Sequence, residues 1–405
     1  QVNYENLDTE EPQQQSHKKK KIKCFPIISI LASILFIVFI IFYVNIGKSH
    51  ELSRQSQCLT TSSDKKECKT CNPGDKLENG KCVINYSFKA VYRTKSPNEK
   101  VTLFNIPQEI VLEMYINNEK VEPSQSLVFP ESGDHTLHAL IDMNKCYTLG
   151  GMFNGNKHLI SIEFSPLFNT ERINEMNFMF QNCKSLTSVD VSNLNTKNVA
   201  FMEYMFAGCT SLKTLDVRNF NTENVEDMSD LFSGIKVKFL SLSWNTRNVK
   251  NMKHMFWNLI EVETILLTSS FDTSQVTNME GMFYECYSLK TIDVSNFNTA
   301  NVESFKDFVN DCYMLESLDV SRFVTSKAKN MDSMFNGCGK LTSLNLESFD
   351  TAQVTNMQNM FNGCSNLLSL KFNTDKFRTS YVTNMRRMFH NCQNLTNKIF
   401  RDIER

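Results

Sequence analysis

The chain has 405 residues and a formal net charge of -1. That balance excludes the strongly basic signature of a nucleic-acid binder, and 13 Gly and 8 Pro are too few for a collagen-like or disordered chain. The excess of 31 Phe, 19 Met and 13 Cys calls for a repeated source.

Residues 1–24 form a polar tail ending in the basic run His17–Lys23 and in Cys24. Residues 25–44, "FPIISILASILFIVFIIFYV", carry no charge and match the ~20 residues a helix needs to cross ~30 Å of hydrocarbon. Basic residues favour the cytoplasmic side, so the expectation is a single-pass plasma-membrane protein, N-terminus inside and repeats extracellular. A cleaved signal peptide is the alternative. The apolar run exceeds its usual ~7–15 residues, and no A-x-A site follows. Cys24, at the membrane edge, is a candidate for palmitoylation, and Tyr4–Leu7 has the Tyr-x-x-apolar form of a sorting signal.

Residues 45–57 read as a stalk. Cys58, Cys68, Cys71 and Cys82 then crowd into a loop-rich clip, 58–82. The C-x2-C inside it admits zinc, but two disulfides fit better, with three connectivities open. Residues 83–145 alternate in short β-branched and aromatic runs separated by turns, which predicts a small β-sandwich-like module capping the first coil of a repeat array. Asn85-Tyr-Ser is a candidate N-glycosylation sequon, and Asn394-Leu-Thr is a second.

From 146 to 395 one phrase recurs. Its aromatic column runs Phe153, Phe180, Phe206, Phe232, Phe256, Phe283, Val309, Phe335, Phe361 and Phe389, a period near 26 that means a solenoid rather than a globule. The "L-x-x-L-x-V" half of each unit alternates like a buried short strand. The "V-x-x-M-x-x-M-F-x-x-C" half, as in Val354, Met357, Met360, Phe361 and Cys364, falls in an arc of about 120° on a helical wheel. A two-to-three-turn helix is therefore predicted in each coil. Thr170, Thr196 and their equivalents would be its N-cap, and Gly208, Gly234, Gly337 and Gly363 its left-handed terminus. Strands ~4.8 Å apart facing helices ~8–10 Å apart would bend the array, strands on the concave side. The expected class is α/β: a leucine-rich-repeat-like curved solenoid with a polar cap at 396–405.

The phrases "SLKTLDVRNFNTENVEDMSDLF" (211–232) and "SLKTIDVSNFNTANVESF" (288–305) resemble the 26-residue repeats of BspA-like leucine-rich surface proteins of bacteria, mycoplasmas and protists. The resemblance spans about 146–395. It implies surface display and adhesion without catalysis.

The residues agree with a non-enzyme that has no cofactor. No H-E-x-x-H, G-x-S-x-G or phosphate-binding glycine loop occurs. The repeat cysteines Cys183, Cys209, Cys286, Cys312, Cys338, Cys364 and Cys392 form a column. Metal ligands would have to converge on one point, and Ile235 and Leu259 hold the same position in two units, so buried free thiols are expected over disulfides. On the strand face the outward row includes Asp190, Asp216, Asp293 and Asp319. Leu266 interrupts it with an apolar group, and Phe239 likewise interrupts the neighbouring row of Ser and Thr two positions earlier. That patch, flanked by acidic rows, is the candidate site for an extracellular protein or glycan ligand. Simple repeat decay and self-association into a coat are the alternatives.

Overall fold

The computed structural model describes residues 58–61, 68–71, 75–78 and 81–395, and the chain divides into two compact units, Gln1–Thr70 and Cys71–Arg405. Four short strands come first: β1 (Cys58–Thr61), β2 (Cys68–Cys71), β3 (Asp75–Glu78) and β4 (Lys81–Ile84). β1 pairs with β2, and β3 with β4. Cys71 and Cys82 form a disulfide with Cα atoms 5.3 Å apart, inside the window that bridge geometry requires.

The next strands are β5 (Phe88–Thr94), β6 (Glu99–Thr102), β7 (Val111–Ile116), β8 (Glu119–Val121), β9 (Ser126–Phe129) and β10 (Gly133–Ile141). β10 lies antiparallel between β5 and β7, and β6 pairs with β9. The module continues into the array. β11 (Leu159–Phe164), from the first coil, is antiparallel to β5 and parallel to β12 (Ser188–Asp190), giving one six-stranded sheet ordered β12-β11-β5-β10-β7-β8. Phe88 ties the two parts together, with its ring 5.7 Å from Phe153 and 6.2 Å from Phe168.

Along the array, β13 (Phe239–Leu242) pairs in parallel with β14 (Thr264–Leu267), and β15 (Ser343–Leu346) with β16 (Ser369–Phe372). The phenylalanine column forms the spine. Rings of Phe153, Phe180, Phe206, Phe232, Phe256 and Phe283 stack in sequence with centroids 5.3–6.2 Å apart. Each fully buried ring contributes roughly 1.5–3 kcal/mol from transfer alone. Where Val309 breaks the column, Phe308 packs edge-on against Phe283 at 5.5 Å.

The α/β expectation is overturned: the described residues contain no α-helix, only strands, bridges, turns and two short 3-10 turns. In the coil after Val199, Met202, Met205, Phe206 and Cys209 are buried as the wheel required, but the backbone is a run of β-turns. Met205 N–H bonds to Met202 O, Ala207 N–H to Tyr204 O and Cys209 N–H to Phe206 O. The N–H groups of Met202, Tyr204, Phe206 and Gly208 bond to the next coil, at Asp227, Ser229, Leu231 and Ser233 O. Tyr204 and Gly208 have φ of 57° and 71°, where the third residue of a type II turn sits and a right-handed helix does not. A turn every third or fourth residue buries the same offsets as a helix, so the hydrophobic pattern alone could not separate them.

The curvature argument falls with the helices, because both flanks of each coil are tied to the next at hydrogen-bond spacing. The threonine column is likewise no N-cap. Thr196 Oγ1 bonds to the next coil, at Asn221.

The single-pass plasma-membrane expectation is also corrected. Spanning requires ~20 apolar residues in a helix, and among the described residues no helix is long and apolar enough to cross a membrane. Residues 25–44, with Cys24, the stalk 45–57 and the cap 396–405, lie outside the described residues.

Candidate interaction surface

Parallel pairing fixes where the two apolar residues sit. Phe239 is in register with Thr264, and Ser241 with Leu266. Phe239 and Leu266 are therefore diagonal neighbours on adjacent strands, both on the outward face, since Leu240 and Ile265 between them are buried. Leu266 is 39% exposed and Phe239 is half-buried. A diagonal pair lies within reach of long and aromatic side chains, so the two make one patch across two coils.

The acidic row is more constrained than its sequence pattern suggests. Asp190 Oδ1 accepts from Ser192 N–H at 2.9 Å, Asp293 from Ser295 N–H at 2.9 Å and Asp319 from Ser321 N–H at 3.0 Å. Asp216 accepts from Arg218 N–H at 3.1 Å and also pairs with its guanidinium, at 2.9 Å from Nε. Each carboxylate closes an Asx turn, and of the four only Asp190 ends a strand, β12. The Arg218 guanidinium holds the Asp216 carboxyl below its usual range, and the Ser295 and Ser321 hydrogen bonds do the same for Asp293 and Asp319. The recurring Asp-x-Ser spacing carried that signal, and the column reading passed over it.

The cysteine column is chemically quiet. Each thiol donates to the main-chain carbonyl of the preceding coil, Cys183 to Phe153 O and Cys209 to Phe180 O at 3.0 Å, Cys364 to Phe335 O at 3.1 Å. Burial pushes the Cys183 thiol up to about 12 and Cys392 up to about 11. A thiol so held is a small hydrophobe with a useful donor rather than a nucleophile.

Among the sequons, Asn85 is half-buried and its Ser87 hydroxyl is sealed in the sheet, accepting from Ile141 N–H at 2.9 Å. Asn394 is exposed, with Nδ2 donating to Ser365 O at 2.7 Å. A cavity of about 210 Å³ opens beside Thr102, Asn156 and His158, where module meets first coil. Asn156 Nδ2 is committed there to Thr102 O at 2.8 Å. On the turn side, where no residue was singled out as a site, the structure gathers Trp257, Tyr284, Glu285, Tyr287, Asp311 and Tyr313.

A family model described as "Mycoplasma protein of unknown function, DUF285" matches residues 147–264, 237–343 and 309–402. The chain belongs to this family. In this DUF285 protein the matches cover the array and leave the module outside, so the family is defined by the coil phrase itself. That agrees with the resemblance to mycoplasma repeat proteins read from the same phrase. No curated protein matches the chain. Among solved structures, it is similar to a leucine-rich repeat protein from Bacteroides ovatus ATCC 8483, at 16% identity over 67% of this chain and 72% of that one, TM-score 0.36. It is also similar to a leucine-rich repeat protein from Eubacterium ventriosum ATCC 27560, at 15% identity over 55% and 81%, TM-score 0.26. The solenoid architecture of the DUF285 array rests on its own coil-to-coil ladders.

Proposed function

We propose that the array is a recognition surface, adhering to a protein or glycan through its strand face, and not a catalyst. The observation that carries this is the Phe239/Leu266 pair, one apolar patch set diagonally in a face whose other outward positions are mostly Ser, Thr and Asp. Adjoining apolar side chains exposed on a polar face form a contiguous patch, and contiguous patches mark contact sites where scattered single residues do not. The flanking Asp216 and Asp293 supply a polar rim, as interfaces commonly have. The Cys71–Cys82 disulfide supports work where thiols stay oxidised, outside a reducing cytosol.

The test is the double variant Phe239→Ser/Leu266→Ser, compared with wild type for binding to host-cell extracellular matrix proteins and to a glycan array. Binding should fall at least about tenfold while the melting temperature changes by only a few degrees. Unchanged binding with unchanged stability would end the proposal. Concentration-dependent self-association that the double variant abolishes would favour the coat reading instead.

A further inference from the structure

The turn side of the array carries a second surface, distinct from the strand face. Trp257 and Tyr284, one coil apart, stack with centroids 6.2 Å apart and planes within 6°. Beside them Tyr287 and Tyr313 stack at 5.2 Å and 12°. Two carboxylates sit between these pairs. Glu285 Oε2 accepts from Trp257 Nε1 at 3.2 Å and also holds the Tyr284 hydroxyl, while Asp311 holds the Tyr313 hydroxyl. Tyr313 is 49% exposed and the adjoining Met314 39%. At the next coil Gly337 makes room for the Asp311 carboxylate: a Cβ there would collide with Asp311 Oδ1 and stand 3.2 Å from Tyr313 Cε1.

The two carboxylates of this patch lack the cross-coil lysine that several carboxylates of the array have. Elsewhere on its exposed flanks carboxylates meet lysines of the next coil: Glu226 with Lys250 at 2.7 Å, Glu263 with Lys290 at 2.8 Å, Glu303 with Lys329 at 2.7 Å. Among the described residues Glu285 and Asp311 form no ion pair. Burial raises the Asp311 carboxyl, and Glu285, of like charge, raises it further. Two carboxylates mutually repelled and ringed by aromatic edges and faces are complementary to a planar cation. Guanidinium suits best, because it pairs in a fork with a carboxylate while stacking on a ring.

We propose that the turn face from Trp257 to Tyr313 binds an arginine-bearing segment of a partner protein. The guanidinium bridges Glu285 and Asp311 and lies against Tyr313. A neutral glycan would use the rings but gain nothing from the unpaired charges, so the geometry favours the cation.

The protein contains its own reporter. It has two tryptophans, of which Trp244 is wholly buried and Trp257 half-exposed. The probes are acetylated, amidated Gly-Arg and Gly-Lys repeat hexapeptides and a neutral oligosaccharide series, titrated against the full chain at low and moderate salt. The arginine peptide should change Trp257 emission saturably and bind several-fold tighter than the lysine peptide, weakening as salt rises. Glu285→Gln/Asp311→Asn should weaken it about tenfold or more, and Tyr313→Ala should narrow the preference for arginine over lysine. Glu226→Gln/Glu303→Gln, which removes equal charge elsewhere, should change affinity less than about twofold. Equal loss in both doubles, no saturable change, or displacement of the peptide by the neutral sugars would overturn the proposal. All of these side chains are on the surface, and thermal unfolding followed by circular dichroism checks that each variant folds.

Discussion

Thr196 Oγ1 donates to the carbonyl of Asn221 at 2.9 Å and accepts the N–H of the same residue at 2.8 Å. One buried hydroxyl thus closes both main-chain groups of a residue in the next coil. Thr299 does the same for Val324 and Thr325 for Asp350. The column is a row of side-chain staples, where a strand ladder would otherwise be needed.

Replacing Thr299 with valine keeps the shape and removes the staple. A part-buried amide and carbonyl of Val324 are then left without their partner, a loss of about 1–3 kcal/mol despite the added apolar surface. Thr299→Ser, which keeps the hydroxyl, should lose less than half as much. Urea unfolding of the two variants decides it, and a valine variant as stable as wild type would show that the hydroxyl is incidental.

Two glycines separate backbone strain from crowding. Gly234 has φ 73° with no atom nearer than 3.8 Å to a new Cβ, whereas at Gly208, φ 71°, a Cβ would lie 2.5 Å from Asn182 Oδ1. Gly234→Ala should destabilise by about 1–2 kcal/mol through its left-handed backbone alone. Gly208→Ala should cost more than that, unless Asn182 moves away. In an α-helix interior the same substitution would stabilise by about 1 kcal/mol. A fall in melting temperature for both variants therefore reads a left-handed backbone at these glycines, as in a turn or at a helix C-terminus and not in a helix interior.

The buried thiols predict an alkaline limit. Cys183, raised by burial to about 12, stays protonated in the folded chain above the pH at which it ionises when unfolded. Its contribution is complete below the unfolded value of about 9 and is lost as pH rises through about 12. Cys392, at about 11, acts in the same direction. Stability measured by denaturant titration should fall between pH 9 and 12, and Cys183→Val should reduce the slope. At pH 8 native Cys183 should react with iodoacetamide roughly 1,000-fold more slowly than in the unfolded chain. Rapid labelling of the native protein, or a crosslinked Cys183–Cys209 peptide, would contradict the packing role.

Much of the core was legible because its columns repeat. Val354, Met357, Met360, Phe361 and Cys364, read as one face, are all fully buried. The exchange of Cys for Ile235 and Leu259 pointed to packing, and those two side chains are buried as well. The disulfide partner of Cys71 was one of several options, since pairing depends on how the strands around it meet. On the strand face Phe239 and Leu266 stood out as breaks in a pattern. The cluster on the turn side did not, because Glu285 and Asp311 stand in the glycine column, where a lone carboxylate reads as repeat decay. What marks them is the stacked pairs Trp257/Tyr284 and Tyr287/Tyr313 beside them, which join side chains from different coils.

The sequence by itself determined the period, the identity of each buried column and the two-part division of every coil, because burial depends on spacing and spacing is written in order. Tertiary structure alone decided what the "V-x-x-M-x-x-M-F" half becomes. A helix and a chain of turns bury the same offsets, and they differ in where the N–H groups go. Those of Met202, Tyr204, Phe206 and Gly208 find acceptors about 25 residues away, in the next coil, and only the stacked array brings those acceptors within reach.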